Sequence, residues 1–477
     1  MGKRREASET AHCGDVQDSK GISDHYEKEQ EDQKRLICTL ISTVKHLFGP
    51  FHRLFIGVID PRNPKKITYP LASLAFCGIL MFLCHLKARR QIGLLLRNGP
   101  SISKFHVIFD VETFPHGDTL NGAFIKLEPE QVQNAVSGMT ESLIRQKILY
   151  PYRLLDTYFV VAVDGTGILT FHARHCPHCL TRKQNGKTLY YHSVLEAKLV
   201  TANGFAFSLM TEFIENQGEY PTKQDCELKA FYRLAARLKK RFPRLPIFLT
   251  MDGLFAGGPT FDLCRSYGWK FMLVLKDNAL PSVNSEFIAL SKLQPENQLS
   301  WRTGKNAEIK QGFRWVDDIL YIDSSSKEHI LSVLECHETK PNKHDLDETT
   351  KFKWVTNCKI TAKNVIALAN EGGRIRWKVE NEGFNVQKNG GYALEHAYTK
   401  DSTSAKVFYF LLQIAHMLAQ LIEKGSLLRK VFPNGFGSAR NLSFRILEAW
   451  RNARLTKDDL DAILCSRFQI RFYFDSS

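Results

Sequence analysis

The apolar positions change period along this chain, and the changes divide it. From Leu36 they recur at helical spacing (LICTLISTVKHLFGPFHRLF) until a Pro-rich breaker at residues 60–66. Residues 71–86 (LASLAFCGILMFLCHL) are apolar almost throughout, but 16 residues are short for a membrane span, so they predict a buried core helix. Its cationic end, KARRQ, suits a helix C-terminus and equally a phosphate grip. Residues 101–150 read as further helices, with Asp118 or Thr119 as an N-cap. At Thr157 the pattern switches to TYFVVAVD, a β-rich run buried on both faces. Two more strands, YYHSVLEAKLV and FAFSLM, flank Thr201-Ala202-Asn203-Gly204, a hairpin signal. An amphipathic helix follows at 225–242, with Leu228, Phe231, Leu234, Ala235 and Leu238 on one face. Then come a strand at 247–252 (IFLTMD), a short helix at 259–267 stopped by Gly268, and a strand at 270–276. Three strands followed by alternating units predict an α/β fold, a mixed sheet with helices on its faces.

Residues 277–372 are polar, with strand-like pieces at 320–322, 330–334 and 352–355, and read as a β-rich insertion. A helix is predicted over 374–392, an apolar helix at 404–424, a basic helix near 443–455 and a terminal strand at 469–474. The domains are therefore a disordered tail (1–35), a helical domain (36–150) whose cationic helix end makes it the expected DNA-binding part, a core in two parts (151–276 and 373–425) split by the insertion (277–372), and a C-terminal helical region (426–477).

Charge narrows the partners. The net charge is +15, and residues 1–35 contribute −2 of it, so the folded part carries the excess expected of a polyanion binder. Eleven cysteines without a disulfide framework argue for reduced thiols in the cytoplasm, with no membrane anchor. Cys176 and Cys179, with His172 and His175 nearby, have half of a zinc set. A second ligand pair at the usual spacing is missing, which argues against zinc and for a reduced loop.

The candidate chemistry rests on carboxylates. Asp164 and Asp252 both end apolar strands, where such sheets place their sites. On a helix, Arg376, Glu380, Gly383 and Phe384 share a side, with Trp377 and Phe384 as core anchors. Arg374, Arg376 and Lys388 form a basic strip beside Glu380. Glu382 points about 200° away from Glu380, so one of the two can face the site, and Arg376 favours Glu380. Glu212 and Glu227 read as surface groups. Asp164, Asp252 and Glu380 together make an oxygen-donor set for Mg²⁺, with Mn²⁺ as a substitute.

The motifs AVDGTG, LTMDGLFAGGP, RWKVENEGFNVQKNGGY and LEHAY resemble the bacterial insertion-sequence DDE transposases of the IS-four-like branch, over residues 155–425. DPRNPKKITYPL is similar to the helical N-terminus of the same proteins. The resemblance implies an RNase H-like core with a β-rich insertion. It implies cleavage of double-stranded DNA at transposon inverted ends, transfer into target DNA, a homodimer in the synaptic complex, and work at the bacterial nucleoid. Asp164, Asp252 and Glu380 would be metal ligands, and Arg376 and Lys388 would contact DNA. The signature Tyr-x2-Arg-x3-Glu-x6-Lys is met at Arg376 and Glu380. Gly373 stands at its tyrosine position and Gln387 at its lysine position, with Lys388 one residue beyond. The competing expectations are an RNase H-like nuclease without strand transfer and a catalytically silent or domesticated DNA-binding protein.

Overall fold

The computed structural model describes residues 15–218, 222–342 and 346–472. Its centre is a mixed ten-stranded sheet, in which strands run β2-β3-β1-β5-β6-β10-β9-β8-β7 and β4 pairs with β3. The strands are β1 Phe159–Phe171, β2 Leu180–Gln184, β3 Lys187–Val200, β4 Ala206–Ile214, β5 Ile247–Met251, β6 Lys270–Val274, β7 Gln298–Thr303, β8 Ile309–Ile322, β9 Glu328–Pro341 and β10 Asp347–Thr356. β1, β3 and β4 form an antiparallel meander, while β5 runs parallel to β1 and β6 parallel to β5. The expected turn at residues 201–204 joins β3 to β4, with Gly204 at φ +82° and its N–H bonded to the Thr201 carbonyl.

Alternation along the strands sorts the core onto two faces. Val161, Val163, Leu249 and Met251 pack with Phe231, Leu234 and Leu238 of the helix Glu227–Arg241. Leu228, expected on that face, is exposed. Val160, Ala162, Phe248 and Met272 pack on the other side with Leu368, Ile375, Val379 and Phe384 of the helical run 365–389.

The insertion is not a separate layer. β10 pairs antiparallel with β6 from Trp354↔Val274 to Thr356↔Met272, so β7–β10 continue the central sheet. Its strands are longer than their apolar pieces suggest because their outer ends are polar and exposed, while residues 331–336 of β9 are buried on both faces. The helix Pro281–Leu293, also in this region, carries only Val283, Asn284, Phe287 and Ser291 as buried residues, too few for a clear period.

The N-terminal helices share one hydrophobic core with the sheet instead of closing around their own. Residues 15–35 correct the expected tail, since they form the first part of the helix Asp15–Phe48; residues 1–14 lie outside the described residues. That helix packs on the C-terminal helices Ala439–Asn452 and Lys457–Cys465, with Lys34–Asp459 (2.9 Å) and Arg445–Glu29 (3.1 Å) ion pairs between them. The helix Leu71–Leu83 is buried as expected. His116, not Asp118 or Thr119, caps the helix Gly117–Phe124. Arg89, at the basic end offered above as a phosphate grip, instead bonds the carbonyls of Tyr398 (2.6 Å) and Gly117 (3.1 Å). One described helix, Ser402–Lys424, is long and apolar enough to cross a membrane, and 83% of its apolar window is buried in the protein. Of the expected terminal strand, only a bridge between Gly425 and Phe472 is seen, and residues 473–474 lie outside the described residues.

Candidate functional site

Two neighbouring parallel strands deliver the first two acids. The β1–β5 register ends at Val163↔Met251, so Asp164 and Asp252 are the next residues on adjacent strands, which run about 4.8 Å apart. By alternation both fall on the side of the sheet that carries Val160, Ala162 and Phe248, the side that the 365–389 helix covers. Each aspartate accepts from the backbone N–H of the next glycine, Asp164 from Gly165 at 3.0 Å and Asp252 from Gly253 at 2.6 Å. Gly253 is required there, because a Cβ would meet the Val274 carbonyl at 2.8 Å.

The helical run that brings the third acid is not plain α-helix. It holds π turns at Leu368–Gly373 and Val379–Asn385, on either side of a tight Arg374–Arg376 turn. Such π turns are concentrated at functional sites. Arg376, almost fully buried, donates from Nη1 to Asp164 Oδ2 at 3.3 Å, and its Nε has no partner among the described residues. Glu380 is half-buried one turn on and acts on the Asp164 carboxylate as a like charge. Glu382 turns away, pairing with Lys378 at 3.9 Å beside Gly204 of the β3–β4 turn. Phe384 anchors the helix as expected, whereas Trp377 is exposed and stacks on Arg376.

A fourth acid joins the site, correcting its reading as a surface group. Glu227 opens the helix Glu227–Arg241 and reaches over Gly165 from the opposite face of the sheet. A Cβ on Gly165 would come 2.1 Å from Glu227 Oε1, so any side chain there would push that carboxylate aside. Glu212, by contrast, is an ion-pair anchor for Arg233 and Arg237, at 2.6 Å each.

The acids strain one another. Burial raises the Asp164 pKa most, Arg376 and the Gly165 N–H oppose the rise, and Glu380 and Asp252 add to it. Glu227 is raised by burial, then by Asp164 and Asp252. A region that disfavours its own negative charge is prepared for a cation. Two cations already stand there: Arg376 on Asp164, and Lys276, whose Nζ lies 3.5 Å from Asp252 Oδ2. The oxygens of Asp164, Asp252 and Glu380 do not form a set lying mutually within 4.8 Å, so the acids share a site without closing to ligand spacing.

The basic strip is not continuous. Arg374 pairs with the buried Glu338 of β9 and lies over the Phe352 ring. Lys388 pairs with Glu395 at 3.2 Å, and no bond joins it to the acids among the described residues. Gln387 is fully buried, donating to Gln413 (2.9 Å) and lying 3.0 Å from His416 Nδ1. At Gly373 a Cβ would lie 2.6 Å from Trp354 Cε2 and 2.9 Å from Met272 Sδ, so no tyrosine fits. In the insertion, Trp301 is exposed on β7 and Trp315 is buried.

Two other clusters do hold ligand atoms at metal spacing. Asp262, Asp323 and His329 form an acidic Asp/Asp/His group that can hold a metal ion. Lys327 (2.7 Å) and Arg265 already pair with Asp262, and His329 Nε2 lies 3.0 Å from Asp323. The second cluster is His175, Cys176, Cys179 and His192. It corrects the missing-ligand argument: His192, thirteen residues past Cys179 on β3, completes a four-membered set, while His172 stays exposed outside it. No family model matches the chain, and no curated protein is similar to it.

Proposed function

We propose that the chain is a DDE transposase, a metal-dependent enzyme that cuts double-stranded DNA at transposon ends and joins the freed ends to target DNA. The observation that carries this reading is the placing of Asp164 and Asp252 side by side on adjacent parallel strands, just past the last β1–β5 pair, with Glu380 on the covering helix. The order β4-β3-β1-β5-β6, an antiparallel meander followed by two parallel strands, supports an RNase H-like core with β7–β10 as its insertion. The net charge of +15 suits a DNA partner.

The donor set fits a hard divalent cation, Mg²⁺ or Mn²⁺, since it offers only carboxylate oxygens around a carboxyl whose ionisation its neighbours oppose. Such a cation, held by Asp164, Asp252 and Glu380, would stabilise the charge on the attacking and leaving oxygens of a phosphodiester. Arg376 and Lys276 pair with the two aspartates and orient them. With divalent charge bound to the aspartates, Arg376 and Lys276 would be free to bind the phosphates flanking the cut. Glu227 closes the side of the site opposite the helix and adds a fourth oxygen donor.

The test is Mg²⁺-dependent nicking of duplex DNA carrying the ends that flank the coding region, followed by joining of precut ends. Asp164→Asn, Asp252→Asn and Glu380→Gln should each lower nicking by more than roughly a hundredfold. Full nicking by any of them overturns the roles. Nicking without joining indicates a nuclease, and salt-dependent binding without nicking indicates a DNA-binding protein.

A further inference from the structure

The loop between β1 and β2 gathers two thiols and two imidazoles that the acidic site does not use. Cys176 Sγ lies 3.4 Å from Cys179 Sγ and 3.3 Å from His192 Nε2. Cys179 Sγ lies 3.2 Å from His175 Nδ1 and 3.5 Å from His192 Nε2. Zinc bonds of about 2.3 Å to sulfur and about 2.0 Å to nitrogen, set tetrahedrally, require ligand atoms roughly 3.3–3.8 Å apart. The four atoms thus already sit close to the corners of that tetrahedron. A disulfide, with its S–S bond of about 2.05 Å, is not what they form.

We propose that His175, Cys176, Cys179 and His192 bind one structural zinc ion. The set is S₂N₂ and tetrahedral, the combination that selects zinc among abundant divalent metals. Binding converts two thiols to thiolates and releases two protons, so the ion and its ligands sum to zero charge, which suits the burial of Cys179 and His192. Four protein ligands leave no open position, which makes the site structural.

Its surroundings tell what it holds together. His175 and Cys176 lie in the loop that leaves β1, and His192 lies on β3 opposite Leu169. Asn216 braces the loop, donating to the Cys179 carbonyl at 2.8 Å, with its own carbonyl 3.0 Å from His178 Nδ1. The Asn216 side-chain oxygen accepts from the N–H of Asp225, two residues before Glu227. The ion therefore ties the far end of Asp164's strand to the start of Glu227's helix. The proposal rests on the ligand geometry alone and stands whether or not the acids cut DNA.

The full chain, purified without a polyhistidine tag, should carry about one zinc per molecule by elemental analysis. Cobalt(II) exchanged into the unmutated protein should give thiolate charge-transfer absorption and the intense visible bands of tetrahedral geometry. Cys176→Ser with Cys179→Ser should abolish both, whereas His172→Ala and Cys465→Ser should keep them. Chelation should open Arg174 and Arg182 to trypsin. The proposal is overturned by unmutated protein that has no zinc and gives no thiolate–cobalt band, and equally by zinc that survives the double cysteine substitution.

Discussion

Installing tyrosine at Gly373, the residue the transposase resemblance calls for, should damage the protein. Gly373 ends a π turn pressed on the sheet, and a Cβ there comes 2.6 Å from Trp354 Cε2, 2.8 Å from Trp354 Nε1 and 2.9 Å from Met272 Sδ. Both neighbours are buried and pinned by the β6–β10 pairing, so neither can swing aside. Forcing one carbon into such a place costs up to about 3 kcal/mol, and the better helix propensity of alanine returns about 1, leaving a net loss near 2 kcal/mol for Gly373→Ala. Gly373→Tyr must also house a ring and should lose more than about 3 kcal/mol. Urea unfolding followed by circular dichroism measures both. Trp354→Ala alone should cost about 3–5 kcal/mol, but combined with Gly373→Tyr it vacates the space the ring needs, so the pair should lose less than the sum. If Gly373→Ala matched the parent, or the pair were additive, the packing argument would fail.

The remaining predictions concern charge. Burial and like-charged neighbours hold Asp164 and Glu227 above their ordinary values of 3.8 and 4.5, so the stability they contribute is complete below those values and is lost as pH rises through the raised ones. Asp164→Asn and Glu227→Gln should therefore raise the melting temperature near neutral pH, with the gain shrinking towards about pH 4; a lower melting temperature at neutral pH would contradict the assignment. Glu196 and Lys198 are both fully buried, and Glu196 also accepts from Tyr409 at 2.8 Å. Glu196→Ala strands the lysine and should cost about 3–5 kcal/mol by urea unfolding, while a loss under about 1 kcal/mol would show that the lysine is neutral in the fold.

The strands of the site were legible as apolar runs, and Asp252 does follow the end of β5, but β1 does not end at Asp164: it runs on to Phe171, paired with β3 throughout. Their adjacency needed only that β1 and β5 be neighbours. Glu227 was not legible: it opens an amphipathic helix, and nothing local says that its first turn leans over Gly165. His192 was hidden in the same way, since a histidine within a long strand has no zinc spacing to the Cys-x2-Cys pair. The insertion was legible as β-rich but not in extent, because β7 and the outer ends of β9 and β10 are polar and exposed. The shared core was not legible either, since helical period reports that a face is buried without naming what buries it.

The π turn at Val379–Asn385 changes how distances along this helix should be counted. Each residue advances about 100° in an α-helix but only about 80° where bonds run to the fifth residue on. From Glu380 through the rest of that turn and on in α geometry, Lys388 comes round to within about 20° of the glutamate's own direction, while Gln387 stops roughly a third of a turn short. That agrees with Gln387 facing Gln413 and His416 in the interior. Deleting a single residue from the turn would rotate everything after it by about 80°, taking Gln387 off Gln413 and His416 and Lys388 off Glu395.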